Sequence, residues 1–115
     1  MSIKASTRQF EDVTIVDLSG QIKLGEGSSI VRDLVKDLLG KGNKKILLNL
    51  ADVSYIDSSG IGELVSAFTS VRNQGGELKL LQLTRKVQDL LTITKLITVF
   101  DVKDDEADAI AAFKS

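Results

Sequence analysis

The segment Lys45-Ile46-Leu47-Leu48-Asn49-Leu50 limits the fold more than any other part of the chain, because it is apolar almost without alternation. A strand with one face in water alternates apolar and polar residues, whereas a strand covered on both faces does not. The run therefore predicts an inner strand of a sheet with helices packed on it.

The flanking sequence supplies the layers. Ile3 to Phe10 reads as an edge strand, and Glu11-Asp12 as a short turn. Val13, Ile15, Val16 and Leu18 form a β-branched run that stops at Ser19-Gly20. A loop from Gln21 to Gly27 follows, with Ser28 or Ser29 as the expected cap of a helix. Ile30, Val31, Leu34, Val35, Leu38 and Leu39 give that helix one apolar face, and Gly40 and Gly42 end it. After Ala51 to Ile56 and Asp57-Ser58-Ser59-Gly60, a second helical stripe runs through Ile61, Leu64, Val65, Phe68 and Val71, closed by Asn73 to Gly76.

Glu77 to Leu83 reads as a strand, and Thr84 as the cap of a short helix containing Val87, Leu90 and Leu91. Ile97 to Val102 is expected to be a final strand, and Asp104 to Phe113 a terminal helix with acidic residues at its positive end and a lysine near the other. The order β-β-α-β-α-β-α-β-α predicts an α/β fold. It has a mostly parallel central sheet, an N-terminal antiparallel hairpin and about four helices. With no proline, linker or repeat in 115 residues, the expectation is one domain over residues 1–115.

Absences narrow the chemistry. There is no cysteine and no histidine. A thiolate nucleophile, a Ser-His-Asp triad and His or Cys ligation of a metal are therefore excluded, while a carboxylate-only metal or acid–base site stays open; no cofactor or metal is expected. A net charge of −1 argues against a nucleic-acid surface or an anionic-membrane surface. No apolar run approaches the roughly 20 residues that span a bilayer, and the opening residues lack the apolar core of a signal peptide, so a cytoplasmic location is expected. Gly60-x-Gly62 lacks both the third glycine of a dinucleotide fingerprint and the Gly-Lys-Ser/Thr of a P-loop. Asp101, Asp104, Asp105, Glu106 and Asp108 lack calcium-loop spacing and read as a solvated helix start. Gly75-Gly76 reads as a turn, and Lys41, Lys44 and Lys45 as a solvated basic cluster. Glu11-Asp12 precedes its strand, the wrong end for the acidic pair of a phospho-receiver.

One junction stands out. Asp57-Ser58-Ser59-Gly60-Ile61-Gly62 joins a strand region to a periodic helix, an edge where ligands and partners dock in open α/β folds. On residue type alone, Asp57 and Ser58 are also good helix caps, and a cap can be a modification site as well.

The stretch from Lys44 to Gly62, an apolar strand followed by Leu50-Ala51-Asp52-Val53-Ser54-Tyr55-Ile56 and Asp57-Ser58-Ser59-Gly60-Ile61-Gly62, resembles the core signature of STAS domains. These include bacterial anti-sigma factor antagonists. Val16-Asp17-Leu18-Ser19-Gly20 is similar to the family's second strand, and Gly75-Gly76-Glu77-Leu78-Lys79-Leu80 to its fourth. The resemblance implies that Ser58 is a phosphate acceptor. It also implies a protein-docking face formed by Asp57, Ser58, Ser59, Gly60 and Gly62 with Lys23 in the preceding loop. The implied protein is not an enzyme. Unphosphorylated, it binds an anti-sigma factor that is also its serine kinase; phosphorylated, it lets go until a serine phosphatase resets it. Such a domain need not self-associate beyond a monomer or weak dimer. Many antagonists carry Gly-Glu-Leu/Ile-Asp after the second strand. Here the sequence is Gly20-Gln21-Ile22-Lys23, and Lys23 reverses the charge, which bears on partner choice but not on the fold. The alternative is a non-switching STAS subunit of a signalling scaffold or lipid-transport complex.

Overall fold

The computed structural model describes residues 3–113. The elements are β1 (Lys4–Phe10), β2 (Val13–Ile22), α1 (Glu26–Gly40), β3 (Lys45–Ile56), α2 (Ser58–Asn73), β4 (Glu77–Leu81), α3 (Arg85–Ile93), β5 (Val102–Lys103) and α4 (Glu106–Ala112). The strands form one sheet in the order β1-β2-β3-β4-β5. β1 runs antiparallel to β2 and every other pairing is parallel. The expected architecture is thus present.

Adjacent residues of a strand face opposite sides, and the core divides accordingly. Val16, Leu18, Ile46, Leu48, Leu50 and Leu80 join the apolar faces of α1, α2 and α3 in one cluster. Val13, Ile15, Leu47 and Leu81 face the other way and meet Ala109, Ile110 and Phe113 of the α4 region. The unalternating run in β3 is explained by this double cover: Ile46, Leu47, Leu48 and Leu50 are all essentially buried.

Three expectations need correction. β2 does not stop at Ser19-Gly20. Gly20 adopts φ 114 within a stretch of shifted register against β3, so the strand is bent there and continues to Ile22. α1 begins about one turn earlier than its serines suggest, with Gly25 at φ 100 in the cap position and no side-chain cap. Ser28 and Ser29 therefore lie inside the first turns, and the Ser28 hydroxyl donates to the Lys23 carbonyl at 3.1 Å. The segment Ile97–Val102 is not a strand. Lys95 at φ 65 leads into a 3-10 turn over Leu96–Thr98, and only Val102–Lys103 pairs, with Leu80 and Leu81. The β-branched Ile97-Thr98-Val99 run suggests extension, but burial of Phe100 decides the path. Its ring meets Phe68 edge-on at 5.5 Å, which demands a tight approach to α2.

The other signals hold with small shifts. Thr84 caps α3 through Val87 N–H, and Asp105 caps α4 through Asp108 N–H. Gly42 and Gly75 take positive φ after α1 and α2. β4 is shorter than expected, ending at Leu81. The lysine expected near the end of α4 lies outside the described residues.

Two glycines of α2 have opposite roles. A Cβ on Gly60 would press on the Ile22 carbonyl oxygen and sit 2.6 Å from Ile56 Cγ1, whereas a Cβ on Gly62 meets nothing within 4 Å. Gly60→Ala is expected to lose about 1–3 kcal/mol of stability through overpacking. Gly62→Ala is expected to gain about 0.5–1 kcal/mol from helix propensity. Urea unfolding of the two variants beside the parent measures both signs.

Candidate functional site

The carboxyl ends of β2 and β3 meet the starts of α1 and α2, and glycine permits both approaches. A Cβ on Gly27 would lie 2.7 Å from the Gln21 carbonyl oxygen and 3.1 Å from Ile22 Cα, while Gly60 crowds the Ile22 carbonyl from the α2 side. The end of β2 is therefore held between two helix starts. Of the loop before α1, the Leu24-Gly25-Glu26-Gly27 stretch has no motif in its sequence. In three dimensions Gly25 supplies the positive φ that starts α1, and Gly27 supplies the close approach.

Asp57 ties this junction together. Its backbone is extended, and one carboxylate oxygen accepts from Gly60 N–H at 2.9 Å, the cap of α2. The other accepts from Leu24 N–H at 3.2 Å, which anchors the loop before α1. The Asp57 N–H donates to the Ile22 carbonyl at 3.3 Å. Burial pushes the Asp57 carboxyl up, but the backbone N–H groups around it, those of Gly60, Leu24 and Ser59 foremost, outweigh that and leave the group below the ordinary carboxylate value. The cap is thus Asp57, not Ser58.

Ser58 is the first residue of α2 and is exposed, while Ser59 is half-buried. Gly60 is buried and serves packing, whereas Gly62 is exposed on the helix surface. Lys23 is half-buried in the loop, and its carbonyl accepts from both the amide and the hydroxyl of Ser28, each at 3.1 Å. The six residues singled out by sequence therefore cluster at one edge. Only Ser58, Gly62 and in part Asp57, Ser59 and Lys23 offer surface; Gly60 offers none.

An open groove of about 390 Å³ runs beside Ser58 between the end of β3 and α3. Tyr55, Asp57, Ser58, Lys86, Asp89 and Ile93 are among its walls. The Lys86 ammonium sits 5.3 Å from the centre of the Tyr55 ring. Thr84 fixes α3 here: its hydroxyl donates to the Val53 carbonyl at 2.9 Å and accepts from Val87 N–H at 3.5 Å.

Two large aliphatic side chains at this end of the fold stand in the open, Ile93 in the groove wall with Ser58 and Leu24 in the loop whose amide binds Asp57. Leu24 is 78% exposed and Ile93 77%. Sequence reasoning missed both, together with Lys86. Ile93 carried a readable signal, since it falls off the Val87-Leu90-Leu91 stripe and has no core to join.

A larger groove, about 590 Å³, opens elsewhere, over Lys4, Asp17, Asn49 and Asp52. Asp17 there is taken up by Arg8 at 2.6 Å and Asn49 at 2.8 Å, and Arg8 also reaches Glu106 at 2.8 Å. This is a tether of β1 to β2, β3 and α4, and it explains the polar lining without a ligand. The acidic stretch near the end of the chain is likewise structural. Asp101 pairs with Lys79 at 2.9 Å and Asp105 caps α4. Of the basic cluster, Lys45 pairs with Asp12 at 2.7 Å and Lys41 with Asp37 at 3.1 Å. Among the described residues no group of three or more acidic side chains is placed to hold a metal ion, and no helix is long and apolar enough to cross a membrane.

The family model for the STAS domain matches residues 4–109. The anti-sigma-B factor antagonist of Bacillus subtilis strain 168 is 33% identical over 102 residues, 89% of this chain and 92% of that protein. The crystal structure of the tm1081 protein from Thermotoga maritima superposes with a TM-score of 0.88 at 28% identity, covering 96% of this chain and 95% of that one. The Bacillus cell-fate determinant SpoIIAA in its phosphorylated form shares the fold, with a TM-score of 0.72 at 17% identity over 95% of this chain and 98% of that one.

Asp57→Ala removes a cap and a loop anchor, and is expected to cost about 1 kcal/mol at neutral pH. Because the folded-state carboxyl is depressed below its ordinary value of 3.8, the stability it gives is whole above that value and is lost as pH falls through the folded one. The gap between the parent and Asp57→Ala should therefore be constant near neutrality and narrow below about pH 4. Asp57→Asn, which can still cap, should lie between them near neutrality. Thermal melts across pH for the three proteins give the comparison.

Proposed function

Since this chain belongs to the STAS domain family, we propose that it acts as an anti-sigma factor antagonist switched by phosphorylation at Ser58. The observation that carries the reading is an exposed serine at the start of α2, with exposed Ile93 in the same groove and exposed Leu24 in the loop anchored by Asp57. A kinase can reach the hydroxyl, and these apolar side chains give a protein partner something to bury. The partner is an anti-sigma factor that is also the serine kinase, and a serine phosphatase resets the cycle. The chain works as one cytoplasmic domain without a cofactor.

The switch needs no refolding. A phosphate adds roughly −1.5 to −2 charges at neutral pH. On the free protein that charge stays in water beside the positive end of α2. In a complex it must be desolvated next to the Asp57 carboxylate, already held ionised by backbone N–H groups. A penalty of about 3–4 kcal/mol lowers affinity a few hundred-fold. SpoIIAA, which has this fold, takes a phosphorylated form, in keeping with a fold that tolerates the added charge. Lys23, where many antagonists are acidic, is the residue through which partner choice departs from theirs.

Mass spectrometry of the protein from its native cells tests the reading. Phosphate on Ser58 that phosphatase removes supports it. Absence of phosphate under every growth condition overturns it in favour of a STAS subunit that binds constitutively. With the cognate serine-kinase anti-sigma factor in a calorimetric titration, Ser58→Asp is expected to weaken binding by at least about tenfold, or roughly 1.4 kcal/mol, while the melting temperature stays close to that of the parent; unfolding instead would mark Ser58 as structural. Ser58→Ala should bind like the parent and never release. Leu24→Ser and Ile93→Ser should each weaken the same complex about tenfold or more, the size expected when burial of one aliphatic side chain is lost, with unchanged stability.

A further inference from the structure

The groove beside Ser58 contains one lysine, and its placement goes beyond what a docking face requires. We propose that Lys86 is the counter-charge that holds the phosphate of phosphorylated Ser58 against α3, so that the modified side chain is captured within its own groove. The inference rests on the reading of Ser58 as a phosphate acceptor and specifies what the protein itself does with the added charge.

Local charge leads to this assignment. The ionisable groups of the residues that line the groove with Ser58 are the carboxylates of Asp57 and Asp89, the phenol of Tyr55 and the ammonium of Lys86. The Asp57 carboxylate is already engaged by Gly60 and Leu24 N–H groups, so it stays negative and cannot move aside. A phosphate added here meets two carboxylates, one fixed, and needs a cation. Lys86 lies in the second position of α3, and the cap from Thr84 pins that turn to β3. Its ammonium rests over the Tyr55 ring at 5.3 Å rather than in an ion pair among the described residues. A cation–π contact at an exposed site is weak, so little opposes transfer of the ammonium to a dianion in the same groove. A second lysine, Lys23, lies one residue before the Leu24 amide that holds Asp57. It is not part of the groove wall.

The same lysine then serves both states. With Ser58 free, Lys86 lies on Tyr55 and leaves the hydroxyl open. With Ser58 phosphorylated, Lys86 draws the phosphate over the groove floor, between the serine and Ile93. The surface a partner would cover is then filled as well as charged.

The test installs phosphoserine at position 58 during synthesis and follows the second ionisation of the phosphate by phosphorus NMR. That ionisation lies near pH 6, to within about a unit, for a free phosphoserine. At low salt, Lys86→Gln is expected to raise it by about half a pH unit, the size of one unit charge a few ångströms away in a water-like medium. Lys86→Arg should restore the parent value, Asp89→Asn should lower it, and the Lys86→Gln shift should shrink in high salt. Lys23→Gln should move it less than Lys86→Gln does. The proposal is overturned if Lys86→Gln titrates with the parent at low salt, or if Lys23→Gln gives the larger shift. Because the phosphate is placed by synthesis, this outcome is independent of whether cells phosphorylate Ser58. A native protein without phosphate would remove the switch, while the titration would still report whether Lys86 pairs with the group.

Discussion

The Ile22 carbonyl at the end of β2 is the point on which the site depends. It receives the Asp57 N–H, and Gly60 presses on it because that residue has no side chain. A larger residue at position 60 would push the first turn of α2 outward. Asp57 would then lose its reach to Leu24, and Ser58 would lose its place at the rim. The conformation of three separate segments, the end of β2, the loop before α1 and the first turn of α2, is thus fixed by one backbone contact and one carboxylate. Both are polar groups satisfied at the edge of an apolar core, where an unmade hydrogen bond would be costly.

The layers of the fold can be read from the chain because they follow from periodicity. The unalternating Ile46-Leu47-Leu48 run requires cover on both faces: the stripes of α1, α2 and α3 cover one and the α4 region covers the other. Sequence and structure part where backbone conformation or a distant contact decides. Gly20 has the look of a stop and is a bend within β2, because a parallel neighbour continues beside it. Ser28 has the look of a cap and is an inner residue, because Gly25 can adopt a backbone that serine rarely does. Ile97-Thr98-Val99 has strand character, but Phe100 must reach Phe68.

The site is legible in its centre and not at its margins. Asp57-Ser58-Ser59-Gly60 announces itself by position and by likeness to a family. The structure separates the parts these residues play: Asp57 caps, Gly60 packs, Ser58 faces solvent and Gly62 lies open on the helix. Leu24, Lys86 and Ile93 come from the loop before α1 and from α3, and no spacing in the sequence links them to Ser58. Only the register of the parallel strands and the tether from Thr84 to Val53 bring α3 alongside. Long-range placement of this kind follows from sheet order, which local patterns do not encode.

Tyr55 adds a practical consequence. It is the only tyrosine of the chain, and there is no tryptophan. The sole strongly emitting chromophore therefore sits in the groove wall, under an ammonium and beside the serine that opens α2. Phenol fluorescence from the unlabelled protein thus originates at this one location and reports on the groove.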